Sequence, residues 1–386
     1  MLTEAGCRAR QQRLWQRIPE EIEWLLVGDP RHIQYLSGFR INPISFSAAE
    51  QALLLLTRAG QTVLLADNFV RRTATESVFV SDEIIVPWYT HRQSVSSRPE
   101  ALNQALQEAR KYWGGRAGLI EPEGISELSA ATVAEDAAWQ FADDEESEPQ
   151  TLGDVIRNLR RSKDEDELDL LRRCMRACEA GHRRALEFIA PGVSELQIYL
   201  EVQRAAQQEA GIPCVVYGDF RATHSHLHKA GGQPTDYVLR DGDLFILDYS
   251  VVIHGYRSDF TNTIAAGAAS AAAVEQYAAC QRALQAAEQL LCDGQPCDEI
   301  WMAASEQLED AGYGQLAHHA GHGLGQEHPE PPILVRESTD ELMAGDVITL
   351  EPGCYIEGTG GIRIEHNYLI EAEGCQRLSN HELRLR

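Results

Sequence analysis

A chain of 386 residues with 44% hydrophobic content is long enough to bury a large core and suggests two domains rather than one. Its formal net charge of −25 argues against a nucleic-acid partner, because neutralising a phosphate backbone takes clustered Lys and Arg. No run approaches the roughly 18 consecutive apolar residues of a membrane span and the first residues lack the apolar stretch of a secretory signal, so no membrane partner is expected and the expected address is cytoplasmic.

The first ~140 residues alternate strand-like apolar runs at 24–28, 52–57 and 62–67 with polar, helix-like segments. That pattern predicts a small α/β domain over 1–150, closed by an acidic stretch, 142–150, without apolar period, which reads as an exposed connection. The second domain, 151–386, opens with amphipathic helices in which apolar residues recur every three or four positions. The charges at 163–169 read as a solvated helix face. Ser194 is placed to cap a further helix that Gly211 ends, and an Ala-rich helical stretch covers about 270–312. Strand-like runs at 243–253, 257–265, 346–351 and 362–370 are broken by Gly and Pro. Long helices beside hairpin-connected strands predict an α+β architecture, with helices covering one face of a mostly antiparallel sheet. The nine cysteines include no C-x-x-C pair and read as reduced thiols.

Chemistry concentrates in this second half. If 245–263 is a hairpin turning at Ile253–His254, Asp248 and Asp259 face each other, and opposite Cβ atoms lie ~4.5–5.5 Å apart. Two ionised carboxylates at that separation in an apolar sheet repel and are costly to desolvate unless a cation sits between them. Glu351 and Glu365 repeat the arrangement at mirrored positions about Gly358, and between the two hairpins His322 is flanked by glycines that let neighbouring strands come close. Four carboxylates and one imidazole suit two divalent cations with a bridging hydroxide; such pairs sit ~3.5–4 Å apart. The O/N donor set accommodates Mn, Co, Fe or Zn, with manganese placed first. Taken singly, each residue has a bland reading: a turn-capping Asp, a Pro-Gly strand end, a satisfied loop histidine. Their order along the chain favours a shared site. Serine-hydrolase, phosphate-loop and zinc-helix signatures are absent.

These residues resemble the ligand pattern of the creatinase, aminopeptidase P and prolidase family, whose catalytic domain is the pita-bread fold. "DPRHIQYLSGF" (29–39) is similar to its N-terminal domain, "LRRSKDEDELDLLRRC" (159–174) to the opening of its catalytic domain, and "GDLFILDYS", "GHGLG", "GDVITLEPGCYI" and "GGIRIEHNYLI" to its ligand-bearing strands. The resemblance implies a creatinase-like N-terminal domain before a pita-bread catalytic domain, with metal ligands Asp248, Asp259, His322, Glu351 and Glu365. It implies that Asp248 chelates one metal, Asp259 and Glu365 bridge the pair, and His322 with Glu351 holds the other, while Glu351 also shuttles the proton. It further implies a homodimer that hydrolyses the bond before proline in Xaa-Pro peptides.

The chain departs from that pattern. A histidine expected seventeen positions before the first aspartate is Gly231, and one expected seven after His322 is Pro329, with His328 beside it. "DYS" also stands at 248–250 where a glycine is usual. His224, His226 and His228 alternate as on one face of an extended segment, and His228, His318 and His328 are the candidate additional catalytic histidines. Two alternatives stay open: a creatinase-like hydrolase acting on a C–N bond of a small guanidino or cyclic amide compound, and a catalytically silent pita-bread domain that binds a protein.

Overall fold

A computed structural model of the chain describes residues 1–41, 50–73, 77–92, 97–142 and 148–386; most of the acidic stretch 142–150 lies outside them. The chain forms two compact units, Met1–Arg160 and Arg161–Arg386.

The first unit is built on a six-stranded sheet whose central order is Thr62–Asp67, Ala52–Thr57, Trp24–Val27, Gly118–Ile120. The pairs of Trp24–Val27 with Ala52–Thr57 and of Ala52–Thr57 with Thr62–Asp67 are antiparallel, and those of Trp24–Val27 with Gly118–Ile120 and of Thr62–Asp67 with Asp82–Val86 are parallel. Because these strands are apolar without interruption, they bury both faces. Leu25, Val27, Leu54, Leu56 and Leu64 enter one core cluster, and their neighbours Trp24, Leu26, Leu53, Leu55 and Leu65 enter the other.

The second unit is α+β, with two antiparallel sheets, a separate hairpin and four long helices. Helix Glu195–Ala210 begins at a capping box in which the Ser194 hydroxyl accepts from the Gln197 N–H, and it ends at Gly211, whose φ of 69° suits glycine. Strand Leu244–Ile253 lies between Val215–Thr223 and Phe260–Ala265. The other sheet runs Glu330–Leu334, Gly321–Gly323, Val347–Leu350, His366–Glu371, Gly374–Arg377. Helices Ala271–Glu288 and Cys297–Asp310 cover one side of it: Ile348, Leu350, Ile362, Ile364 and Tyr368 pack with Tyr277, Cys280, Ala283 and Ile300. Side chains alternate along a strand, so Thr349, Glu351, Arg363, Glu365 and Asn367 point the other way. Sheet parity, more than any local preference, collects the polar residues on one face.

Two expectations are corrected here. The hairpin turns at His254–Gly255, one residue later than the pattern suggests, so Asp248 pairs with Thr261 instead of Asp259. Both turn residues have positive φ, 49° and 84°, the primed geometry whose twist suits a two-residue hairpin. The two-position shift in partner keeps Asp248 and Asp259 on one face, as diagonal neighbours. The charges at 163–169 are not all solvated either. Lys163 is buried and pairs with Glu330 at 2.7 Å, and buried Glu167 accepts from the Tyr256 hydroxyl at 2.9 Å and from the Asp164 N–H at 3.0 Å.

Candidate metal centre

Asp248 lies within strand Leu244–Ile253, Asp259, Glu351 and Glu365 stand next to strand ends, and each carboxylate is held by a neighbour. The mirrored register about Gly358 is present, with Leu350 opposite His366 and Gly353 opposite Arg363 on either side of Glu351 and Glu365. Thr349 donates to Glu351 at 3.1 Å and Thr261 donates to Glu365 at 2.6 Å. Asn367 donates to Glu365 at 3.4 Å and to the Asp259 carbonyl at 2.6 Å. The His322 backbone is pressed between strands, for a Cβ at Gly321 would overlap the Thr349 carbonyl and one at Gly323 the Pro331 carbonyl. His322 Nδ1 lies 2.8 Å from the Gly323 carbonyl, which makes it the donor and turns the Nε2 lone pair inward, 3.3 Å from Glu351 and 3.6 Å from Asp259.

Ligand-type oxygens of Asp248, Asp259 and Glu365 lie within 4.8 Å of one another, as do those of Asp259 with the ring nitrogens of His322 and His328, and those of Glu351 with His318 and His319. Two of these groups share Asp259 and the third joins them through Glu351, 3.3 Å from His322, so the three form one contiguous cluster; a fourth acidic group, Asp164, Asp166 and Glu167, sits at a helix start and not in this cluster. The residues fit a pair of divalent cations: the donors are oxygens and one oriented imidazole, buried except for the partly buried Asp248, and each is fixed by a second hydrogen bond.

The electrostatics record how costly the cluster is without such charge. Burial pushes the Asp248 carboxyl up to about 7, with Arg363 pulling it down and Asp259, Glu351 and Asp219 adding to the rise. Burial also raises Glu351, and raises Glu365 well above its usual range with help from Asp259. Asp259 goes the other way: burial would raise it, but its hydrogen bond from His328 at 2.7 Å and the nearby imidazoles hold it low. Burial lowers His322, and lowers His318 to about 3.

The additional histidines divide. His328 stands in the cluster on Asp259, with its ring 4.8 Å from that of His322. His318 donates from Nδ1 to the His319 carbonyl and faces the Tyr355 hydroxyl through Nε2 at 3.3 Å. His228 belongs to none of the three ligand groups. The alternation expected for His224, His226 and His228 is absent, because the chain turns back at Ser225–His226 and bridges His224 to Leu227. His224 instead stacks on Tyr237.

Three further groups border the cluster. Arg363 donates to Asp248, to Asp219 at 2.9 Å and to the Tyr355 hydroxyl at 2.9 Å. Its place two residues before Glu365 puts it on the same strand face, so parity alone points to it. Asp219 lies directly opposite Asp248. A lone carboxylate in the apolar run 215–223 was its signal. His319 Nδ1 lies 3.5 Å from Glu351. A cavity of about 230 Å³ opens beside the cluster, lined by Tyr217, Asp219, Asp248, Ser250, Asp259 and His328 among others.

An antiparallel α+β unit with a carboxylate–histidine centre, following a smaller mixed-sheet unit in chain order, defines a pita-bread metallohydrolase architecture. Residues 169–372 match metallopeptidase family M24 and residues 10–160 match the creatinase/prolidase N-terminal domain. The chain belongs to metallopeptidase family M24 and is a hydrolase of the metallopeptidase type. An uncharacterized peptidase of Staphylococcus aureus (strain USA300) is 26% identical over 357 residues, 92% of this chain and 93% of that one. The same fold occurs in an Xaa-Pro dipeptidase from Bacillus anthracis, at TM-score 0.77 and 23% identity over 98% of this chain and 99% of that one. It occurs also in a prolidase from Pyrococcus horikoshii OT3, at 0.77 and 22% over 98% and 100%, and in an X-Pro aminopeptidase from Thermotoga maritima MSB8, at 0.77 and 20% over 99% and 98%.

Proposed function

We propose that the chain hydrolyses the amide bond preceding proline in small peptides, using two divalent cations held by Asp248, Asp259, His322, Glu351 and Glu365. The observation that carries this reading is the meeting of four carboxylates and one imidazole, from separated segments of the chain, in one contiguous and largely buried cluster. Bound there, the cations supply Lewis acidity and a water acidic enough to attack at neutral pH. The remaining chemistry belongs to the chain's own groups. Glu351, its carboxyl raised by burial and fixed by Thr349, takes the proton of the attacking water and gives it to the leaving amine. Arg363 holds Tyr355 in place, and because His318 spends its one proton on the His319 carbonyl, the Tyr355 hydroxyl is the member of that pair able to donate to the charge that develops on the carbonyl oxygen. His328 keeps Asp259 ionised through its hydrogen bond.

Manganese as the resident metal, a homodimeric assembly and a cytoplasmic address belong to the same reading. Among the described residues no helix is long and apolar enough to cross a membrane. The test is turnover of a panel of Xaa-Pro dipeptides and longer peptides before and after dialysis against a chelator, with Mn or Co added back. Loss and recovery of activity is the expected result; full activity in chelator defeats the reading. Gly231 and Pro329, at the two places where the family resemblance leads one to expect histidines, favour a second reading, hydrolysis of a small guanidino or cyclic amide compound, and the same assay run on such compounds separates the two.

A further inference from the structure

We propose that Asp219 is a substrate-recognising carboxylate and that it selects substrates bearing a protonated nitrogen, ammonium or guanidinium, close to the bond that is cleaved. The inference rests on the reaction proposed above and names a property of its substrate.

Asp219 and Asp248 are direct partners across two antiparallel strands, so their side chains share a face. Like charges placed opposite each other are destabilising, and Arg363, which donates to both carboxylates, offsets that repulsion. Asp219 is also outside every group of converging ligand atoms. Its charge therefore serves something other than metal ligation.

Its position identifies what. At Gly231 a Cβ would lie 3.1 Å from Asp219 Oδ2 and 3.4 Å from its Cγ. The carboxylate fills the room into which a side chain from 231 would grow, and the neighbouring Gly232 N–H holds it there, donating to Oδ1 at 2.5 Å.

The anion remains open to a ligand. A carboxylate accepts at about four lone-pair sites, of which Gly232 and Arg363 take one each. The Asp219 side chain keeps 30% exposure, and it lines the cavity of about 230 Å³. Among the described residues no Lys or Arg lines that cavity, and His328, the one imidazole among them, is tied to Asp259. With Asp248 and Asp259 committed to cations, Asp219 is the carboxylate left facing the substrate. A cationic group gains a charge-assisted hydrogen bond there, while a carboxylate is repelled. The exposed ring of Tyr217 on the same strand offers a surface for the aliphatic stem of a lysine or arginine.

The nitrogen can be the free α-amine of the first residue or its side chain, and the arms of the experiment separate them. Metal-loaded wild-type and Asp219→Asn proteins are compared on Lys-Pro-Ala, norleucyl-Pro-Ala and acetyl-norleucyl-Pro-Ala. Asparagine retains the acceptor for Gly232. The expected result is a preference for the charged member of one pair in kcat/KM, of about tenfold or more in the wild type, which shrinks at least fivefold in Asp219→Asn, through KM more than kcat. A shrinking lysine-to-norleucine ratio assigns the side chain, and a shrinking free-to-acetylated ratio assigns the α-amine. Ratios unchanged within twofold in both pairs overturn the proposal, including the case in which all rates fall together, which would leave Asp219 only as a prop for Arg363. Calorimetric titration of both metal-loaded proteins with lysinamide, norleucinamide and acetyl-norleucinamide reads the same preferences without turnover. A wild type that binds them with the expected order yet cleaves no Xaa-Pro peptide refutes the reaction and keeps the role of Asp219, whereas cleavage without any charge preference does the reverse.

Discussion

Arg363 is the side chain through which the groups around the centre communicate. One guanidinium serves Asp248, Asp219 and the Tyr355 hydroxyl, and such a fork cannot be imitated by an ammonium. Substituting Arg363→Lys should therefore preserve charge but lose the contact to Tyr355, which leaves the hydroxyl facing His318 alone. A drop in kcat of about 10- to 100-fold with little change in melting temperature is expected, less than the roughly 100- to 1000-fold that follows removal of an oriented donor, because the hydroxyl is loosened and not removed. Steady-state kinetics beside a thermal melt checks it, and rates within twofold of wild type would remove Arg363 from the machinery. At this scale sequence reading finds what spacing encodes. The four carboxylates and His322 stand out because acids and an imidazole interrupt apolar strands. His319 and Tyr355 do not, since an exposed-looking histidine or a strand tyrosine is unremarkable until its neighbours are known.

Among the elements, the short strand Gly321–Gly323 has the least freedom. It is wedged between Glu330–Leu334 and Val347–Leu350, and its glycines are there because neighbouring carbonyls occupy the space a side chain would take. A methyl group added by Gly321→Ala meets backbone, which cannot swing aside, so the strand must move and carry His322 with it. The expected cost is about 3 kcal/mol, at the upper end for overpacking, with loss of metal retention. Urea unfolding and metal analysis of the purified variant test this; a variant that keeps both stability and metal would show that the strand has slack. Caps and stops such as Ser194 and Gly211 are legible from local sequence because their physics is local. The hairpin register was misjudged by one position at the turn because the choice between Ile253–His254 and His254–Gly255 depends on whether His254 accepts a positive φ, which strand twist imposes and sequence does not announce.

On the scale of the whole molecule, stability should fall in acid for a reason separate from the metal centre. Burial holds His182 near 4, below the usual histidine value of 6.5, with its Nε2 at 3.0 Å from the Glu382 carbonyl and its ring 4.8 Å from that of His381. Between those values the unfolded chain binds a proton that the folded chain does not, so stability is full above about pH 6.5 and declines as pH falls toward 4. The decline attributable to this group is on the order of 2–4 kcal/mol. His182→Gln, whose amide can still donate to Glu382, should show a shallower loss of urea midpoint between pH 7.5 and 4.5. Equal slopes for variant and wild type would exclude His182 as the source.

Sequence alone determined the elements and their chemistry: uninterrupted apolar runs for the doubly buried strands of the first unit, helical periodicity and caps in the second, and the acids and His322 that cluster with divalent-cation character. These are properties of periodicity and residue type, which act over a few positions and need no partner. Tertiary structure decided which faces met. Two strands had to pair before Asp219 stood opposite Asp248, Arg363 reached both because it shares a face with Glu365, and His328 came onto Asp259 although its position in the chain is one removed from the expected one. Such contacts join residues far apart in the chain, and the free energy that fixes them comes from packing and charge compensation summed over the folded unit, a quantity that no single segment carries.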